Sequence, residues 1–132
     1  WIVFLGNYLT FKEFLELKRI AKKIKNVQIA GFSRDYLDFL AASKRVITHG
    51  GYNSITDNLF LQKQAAYIAR DIPEKDQEIH LGFLKKAKVI NDFIREGEIS
   101  EKSLEALLEI KFKKTKSVKL NGSERVAKCC EA

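Results

Sequence analysis

The sequence contains no methionine, one proline and two cysteines, and each scarcity excludes something. Cys129 and Cys130 are neighbours, and no third cysteine exists for either to pair with, so a disulfide framework is excluded. A four-ligand zinc site would have to recruit His49 and His80, which lie far from the pair in sequence. The expectation is a reduced, cytoplasmic protein with two thiols in a terminal segment. Long apolar runs are missing as well. Trp1–Leu5 and Ala65–Ala69 are the longest, at five residues each, against the ~20 that a helical membrane span requires. Trp1–Leu5 has neither a basic lead-in nor a small-residue cleavage site, so it does not read as a signal peptide. With Trp at the first position and no methionine, the chain is expected to be a piece of a longer protein.

What is present suits a folded domain. Apolar residues make up 45% and charged residues 31% of 132, with nine Phe and four Tyr spread along the chain, which excludes general disorder. The formal charge is +7, from 24 Lys and Arg against 17 Asp and Glu. Residues 12–25 carry six basic and two acidic side chains, and residues 111–132 carry seven and two. Such a balance admits a phosphate-bearing ligand, nucleic acid or an acidic membrane, and equally a solvated lysine-rich surface.

Periodicity alternates along the chain. Trp1–Leu5, Val27–Ala30, Arg45–Thr48 and Ala65–Ala69 read as short buried strands, with Lys88–Ile90 as a last one. Between them, Phe11, Phe14, Leu15, Leu17, Ile20, Ala21 and Ile24 recur at helical spacing. Further helices are expected over 35–42, from a cap at Asn53 or Ser54 to about Gln62, and from Lys75 to Ala87. Another is expected over 100–110, capped by Ser100, and one more short helix from Gly122. Strand–helix alternation with strands apolar on both faces predicts an α/β domain, a doubly wound, Rossmann-like parallel sheet over residues 1–110. Residues 111–132 are expected to form a basic, partly helical C-terminal segment. Ligands of such folds bind at the carboxyl ends of the strands. Three loops there matter: Gly6-Asn7, Gly31-Phe32-Ser33 and the stretch from His49 to Ser54.

The last of these carries the chemistry. A buried strand ends in Gly50-Gly51 and passes straight into a helix, the arrangement that aims unpaired first-turn amides and the positive end of a helix dipole at an anion. Glycines there allow close approach and positive φ. Asn53 and Ser54 add side-chain donors, His49 another, and Asp57, one turn on, is placed to accept from a ribose diol. A tight strand–helix turn with an ordinary cap would have the same outline. Neither a P-loop nor a G-x-G-x-x-G fingerprint occurs.

His49-Gly50-Gly51-Tyr52-Asn53-Ser54, with Asp57 and the later pair Asp76-Gln77, resembles the donor-binding signature of GT-B glycosyltransferases. It is similar to the MurG and monogalactosyldiacylglycerol synthase group and to the UDP-glycosyltransferases, whose motif reads His-x-Gly-aromatic/His-Asn-Ser/Thr-x-x-Glu. Phe32-Ser33, an amphipathic stretch and the strand Arg45–Thr48 match the base-binding loop, helix and strand of MurG-like enzymes, and Gly6-Asn7 takes the place of their Gly-Ser turn. The resemblance runs from Trp1 to about Ile90. It implies the C-terminal, donor-binding half of a GT-B fold, holding a nucleotide sugar such as a UDP-sugar. His49, Gly50, Gly51, Asn53 and Ser54, with Gly6 and Asn7, would cradle the diphosphate. Asp57 would hold the ribose, Phe32 and Ser33 the nucleobase, and Asp76 and Gln77 the sugar. An N-terminal acceptor-binding domain or subunit would supply the catalytic base. No cofactor and no obligatory metal are implied.

Three departures are visible. Asp57 stands where the family has Glu, one methylene longer, which loosens the ribose contact. Gln62-Lys63-Gln64 replaces a Gly-x-Pro, and the loop before Asp76 is about three residues longer than in the plant enzymes by motif alignment. Other functions share parts of this pattern. A sugar-nucleotide epimerase or hydrolase would share the cradle, but His-Gly-Gly with Asp-Gln fits a transferase better. A nucleic-acid-binding module is disfavoured because Phe11, Phe14 and Phe39 fall at helical core positions rather than among basic residues. Lys111-Phe112-Lys113-Lys114-Thr115-Lys116 suits either peripheral contact with an anionic membrane or a solvated tail. Asp71, Glu74, Asp76 and Glu78 around Pro73 read as dipole complements at a helix start rather than as metal ligands.

Overall fold

The computed structural model describes residues 1–6, 8–63, 65–109 and 121. Asn7, Gln64 and, apart from Asn121, the basic C-terminal segment with its expected helix and Cys129 and Cys130 lie outside the described residues. The element order is β1 (Ile2–Phe4), α1 (Phe11–Ala21), β2 (Gln28–Ala30), α2 (Tyr36–Ala42), β3 (Val46–His49), α3 (Tyr52–Phe60), β4 (Ala65–Ala69), α4 (Asp76–Lys86), β5 (Phe93–Arg95), a 3-10 turn (Glu96–Glu98) and α5 (Glu101–Glu109). All strand pairs are parallel. This is the Rossmann-like α/β alternation that the sequence predicts. Two compact units divide the chain, Trp1–Phe39 and Leu40 onward.

In the first unit β1 pairs β2, with Val3 opposite Ile29. Helix α1 begins at a capping box: the Glu13 amide donates to Thr10 Oγ1 at 3.3 Å, and the Thr10 amide donates to Glu13 Oε2 at 2.8 Å. The Thr10 hydroxyl also donates to that carboxylate, and these bonds hold Glu13 below the usual carboxylate range. In the same unit Phe4, the last residue of β1, packs edge-on against Tyr36, ring centres 5.4 Å apart.

The second unit holds a three-stranded sheet in the order β3-β4-β5. Central β4 is buried on both faces, as its unbroken apolar run requires. Its Tyr67 and Ala69 join Ile55 of α3, Leu81 of α4 and Ile90 in one core cluster. Asn58 of α3 is the buried polar side chain among the described residues. Its Nδ2 donates to the Ser54 carbonyl at 2.6 Å, while its Oδ1 has no partner.

Three expected features are corrected. Phe11 and Phe39 are not core residues, at 75% and 45% exposed. Lys88–Ile90 is not a strand. Helix α4 ends there in a Schellman motif: Lys88 sits at φ 57°, its amide donates to the Lys85 carbonyl, and Val89 N–H donates to the Leu84 carbonyl. Amides spent on the helix end cannot join a sheet ladder, so the last strand starts three residues later, at Phe93. Nor do Asn53 and Ser54 cap α3. The cap is Gly51, and both residues lie in the first turn. Ser100 does cap α5, accepting from the Ser103 amide at 3.1 Å.

Burial pushes the Tyr67 phenol up to about 12. A group whose folded value is raised contributes stability that is complete below its unfolded value of about 10 and is lost as pH rises through the folded one. In an ultraviolet titration of the four tyrosines, one phenol is therefore expected to lag well behind the others. Tyr67→Phe removes that late component. A late component that survives the substitution contradicts the assignment.

Candidate functional site

The carboxyl ends of the three parallel strands of the second unit converge on one edge. His49 ends β3 opposite Ile68 of β4, and the next residue turns away. The Gly50 amide donates to the Ile68 carbonyl at 2.9 Å, so it completes the ladder and is not free for a ligand. Gly50 is buried, and a Cβ there would lie 2.4 Å from Cδ1 of fully buried Leu81. Glycine is thus demanded at 50 by packing. The expected positive φ is absent, since no described glycine has one.

Gly51 differs. Its φ of −69° and ψ of 147° suit any residue, and a Cβ would meet no atom within 4 Å. As N-cap it offers no side-chain acceptor, and the amides of Gly51, Tyr52, Asn53 and Ser54 donate to no acceptor among the described residues. Unsatisfied donors at the positive end of a helix dipole are chemically suited to an anion. The side chains of Asn53 and Ser54 are uncommitted among the described residues. Asp57, half-buried one turn further on, has its carboxylate equally free of described partners.

Asp76 and Gln77 open α4, whose cap, Lys75, is left-handed at φ 51° and makes no side-chain bond. Gln77 Oε1 accepts from the Arg70 amide at 3.2 Å, which ties the start of α4 to the end of β4 beside β3. What Gln77 has left to offer is its Nε2 donor, while the Asp76 carboxylate is exposed. His80 of α4 stacks on Tyr52 of α3, ring centres 6.2 Å apart and 20° between planes. Phe32, Ser33 and Gly6 belong to the first unit. Phe32 is 78% exposed at the end of β2, and Ser33 Oγ accepts from the Asp35 amide at 3.1 Å.

Residues not foreseen also gather at this edge. Arg95, at the end of β5, donates to Glu78 Oε1 at 2.6 Å and to Glu98 Oε1 at 2.8 Å. These bonds hold both carboxyls below their usual range and raise the guanidinium further. Glu96 Oε2 accepts from the Asp71 amide at 3.2 Å, and its Oε1 lies 4.0 Å from His49 Nε2. A last strand placed at Lys88–Ile90 hid Glu96. With β5 at Phe93–Arg95 it is the first residue beyond a third strand end. Among the described residues no three His, Cys, Asp or Glu side chains gather as a metal site would.

The chain matches the model of the glycosyltransferase family 28 C-terminal domain over residues 6–128. It belongs to that family. No curated protein and no solved structure matches it. The family 28 domain is the sugar-donor-binding C-terminal domain of GT-B glycosyltransferases of the MurG and monogalactosyldiacylglycerol synthase type, which work with an acceptor-binding partner domain. In this family 28 domain the position of the usual glycine before β4 is Gln62, at φ 51°. There it closes α3 by donating to the Leu59 carbonyl, while the Lys63 amide donates to that of Asn58. Gln62 therefore takes a left-handed position at which glycine is unstrained.

The two site glycines should separate in a melting experiment. Gly50→Ala forces Leu81 aside and is expected to cost about 1–3 kcal/mol, the usual range for overpacking. Gly51→Ser meets nothing and supplies a good N-cap, so it should be neutral or stabilising by a few tenths of a kcal/mol. Equal losses at both positions would contradict this division of labour.

Proposed function

We propose that the domain binds a nucleoside diphosphate sugar, a UDP-hexose in particular, with the diphosphate at the start of α3. The supporting observation is the uncapped first turn, four unsatisfied amides beside a glycine that neither φ nor packing requires. His49, Asn53 Nδ2 and Ser54 Oγ add donors around the same anion. Asp57 takes the ribose hydroxyls, and Asp76 and Gln77 take the sugar, one as acceptor and the other as donor. By resemblance alone, Gly6 and Asn7 are assigned to the diphosphate, and Phe32 and Ser33 to the nucleobase.

The reaction is transfer of the sugar to an acceptor hydroxyl. The hydroxyl oxygen attacks the anomeric carbon, the bond to the diphosphate breaks, and the nucleoside diphosphate leaves with the electron pair. Amides aimed at that oxygen stabilise the developing charge without reorganising. A base in the acceptor-binding domain takes the hydroxyl proton. In this reading the amides and His49 replace a metal, and the protein works in the cytoplasm, where Lys111–Lys116 is suited to touch anionic lipid.

Calorimetric titration with UDP, GDP and dTDP tests the assignment. One diphosphate should bind, unaffected by EDTA. Asp57→Ala and Asn53→Ala should each weaken it about tenfold, the scale of a hydrogen bond to a charged or fixed partner. Gly51→Ser, by satisfying the amides internally, should weaken it while preserving the fold. Weak binding of all anions alike, insensitive to these substitutions, would leave only a basic surface.

A further inference from the structure

Asn58 lies on the inner face of α3, 0% exposed, between Ile55 of the core cluster and the end of the helix. Its Nδ2 donates to the Ser54 carbonyl at 2.6 Å, four residues back. Turning the amide over would bring two oxygens to that distance, so chemistry fixes its orientation. The Oδ1 is then buried with no partner among the described residues. A buried acceptor without a donor is a standing cost to the fold, and an apolar side chain would avoid it. Stability therefore does not account for an asparagine at 58.

What the asparagine reaches is the first turn of α3. The Ser54 carbonyl shares a peptide group with the Ile55 amide, which donates to the Gly51 carbonyl at 3.0 Å. That carbonyl shares its own peptide group with the Tyr52 amide, a donor with no described acceptor. All three links point the same way: Asn58 Nδ2 to Ser54, Ile55 to Gly51, and Tyr52 outward. A peptide whose oxygen accepts a bond donates more strongly through its nitrogen, so each link polarises the next. Asn58 stands at the inner end of this chain, and the helix start stands at the outer end.

We propose that Asn58 is a positioning residue for the diphosphate: through Ser54 and Gly51 its buried amide steadies and polarises the Tyr52 amide that meets the anion. The inference rests on the diphosphate reading above. Thr56 supplies a precedent for testing it. Its hydroxyl donates to the Tyr52 carbonyl at 2.9 Å, also four residues back, so a threonine in this helix can make the same kind of bond. Asn58→Thr and Asn58→Val are nearly alike in shape, and both remove the orphaned oxygen. Only the first keeps a donor for the Ser54 carbonyl.

Two measurements on the full chain decide the matter. In proton–nitrogen spectra without ligand, Asn58→Val should move the Ile55 and Tyr52 amide protons upfield, as weaker donors do. Asn58→Thr should leave them near their wild-type positions. Spectra that do not separate the two variants overturn the link, whether or not a nucleotide binds. In UDP calorimetry, Asn58→Val is expected to bind about two- to fourfold more weakly, the scale of a partial loss in one hydrogen bond to a charged group. Asn58→Thr should bind as the wild type does, and Asn58→Val should melt no lower than Asn58→Thr. Equal affinities in the two variants overturn the proposal. So does an Asn58→Val chain that melts well below Asn58→Thr, since the bond would then serve the fold alone. Absence of UDP binding in every chain, alongside the expected spectra, overturns the diphosphate reading and the role toward a ligand with it, while the link from Asn58 to the first turn stands.

Discussion

The hydrogen bond from the Gly50 amide to the Ile68 carbonyl sets the rest of the site. It keeps β3 in register with β4 to the last residue and fixes where the strand stops. Leu81, pressed on Gly50 from α4, leaves no room for a side chain and drives the backbone to turn at once. The helix must then begin at Tyr52 with Gly51 as its cap, and Gly51 has no side chain with which to cap it. The place where the helix starts is thus a consequence of how strand, helix and core meet, and its unsatisfied first turn follows from the choice of glycine at 51, which packing does not demand. The anion-attracting end of α3 is held by the second unit's own core, whose fully buried members include Leu81 and Tyr67.

Polar groups around this edge are distributed by what they have left to give. Gln77 spends its oxygen on the Arg70 amide, which both docks α4 and leaves a donor outward. Arg95 is consumed by Glu78 and Glu98, so it braces the first turn of α4 against β5 instead of adding a free positive charge. Positive character at this edge then comes from the α3 amides and from Arg70 and Lys75, which flank the start of α4. Amides have fixed orientation and need no proton, which would suit the leaving group of the proposed transfer, whose charge appears only as the bond breaks.

Much of this was legible in the sequence, for identifiable reasons. Ala65–Ala69 is an unbroken apolar run, and a central parallel strand buried on both faces has that pattern. The His49–Ser54 stretch was legible because few turns combine a buried strand, two glycines and an immediate helix. The division between the glycines was not, since it depends on Leu81, thirty-one residues away. The last strand was misplaced because Lys88-Val89-Ile90 is apolar enough for a ladder, yet a left-handed Lys88 commits its amides to the end of α4. Phe93-Ile94-Arg95 carries a weaker pattern and wins by geometry, pairing Ile94 with Ile68. Glu96 was invisible for the same reason.

Gln62 shows how the family architecture tolerates change away from the ligand. Its left-handed φ of 51° is the conformation for which glycine is the unstrained choice, and the turn persists because two backbone bonds and Lys63 over-determine it. Lys63 Nζ donates to the carbonyl of Ala41 in the last turn of α2 and to that of Ser43 just past it, tying that turn to the approach to β3. A strained residue is held in place by its neighbours. At Gly51, by contrast, a Cβ would meet no described atom within 4 Å. The α3 C-terminus therefore accepts a side chain that its N-terminus, if it is to receive a diphosphate, cannot.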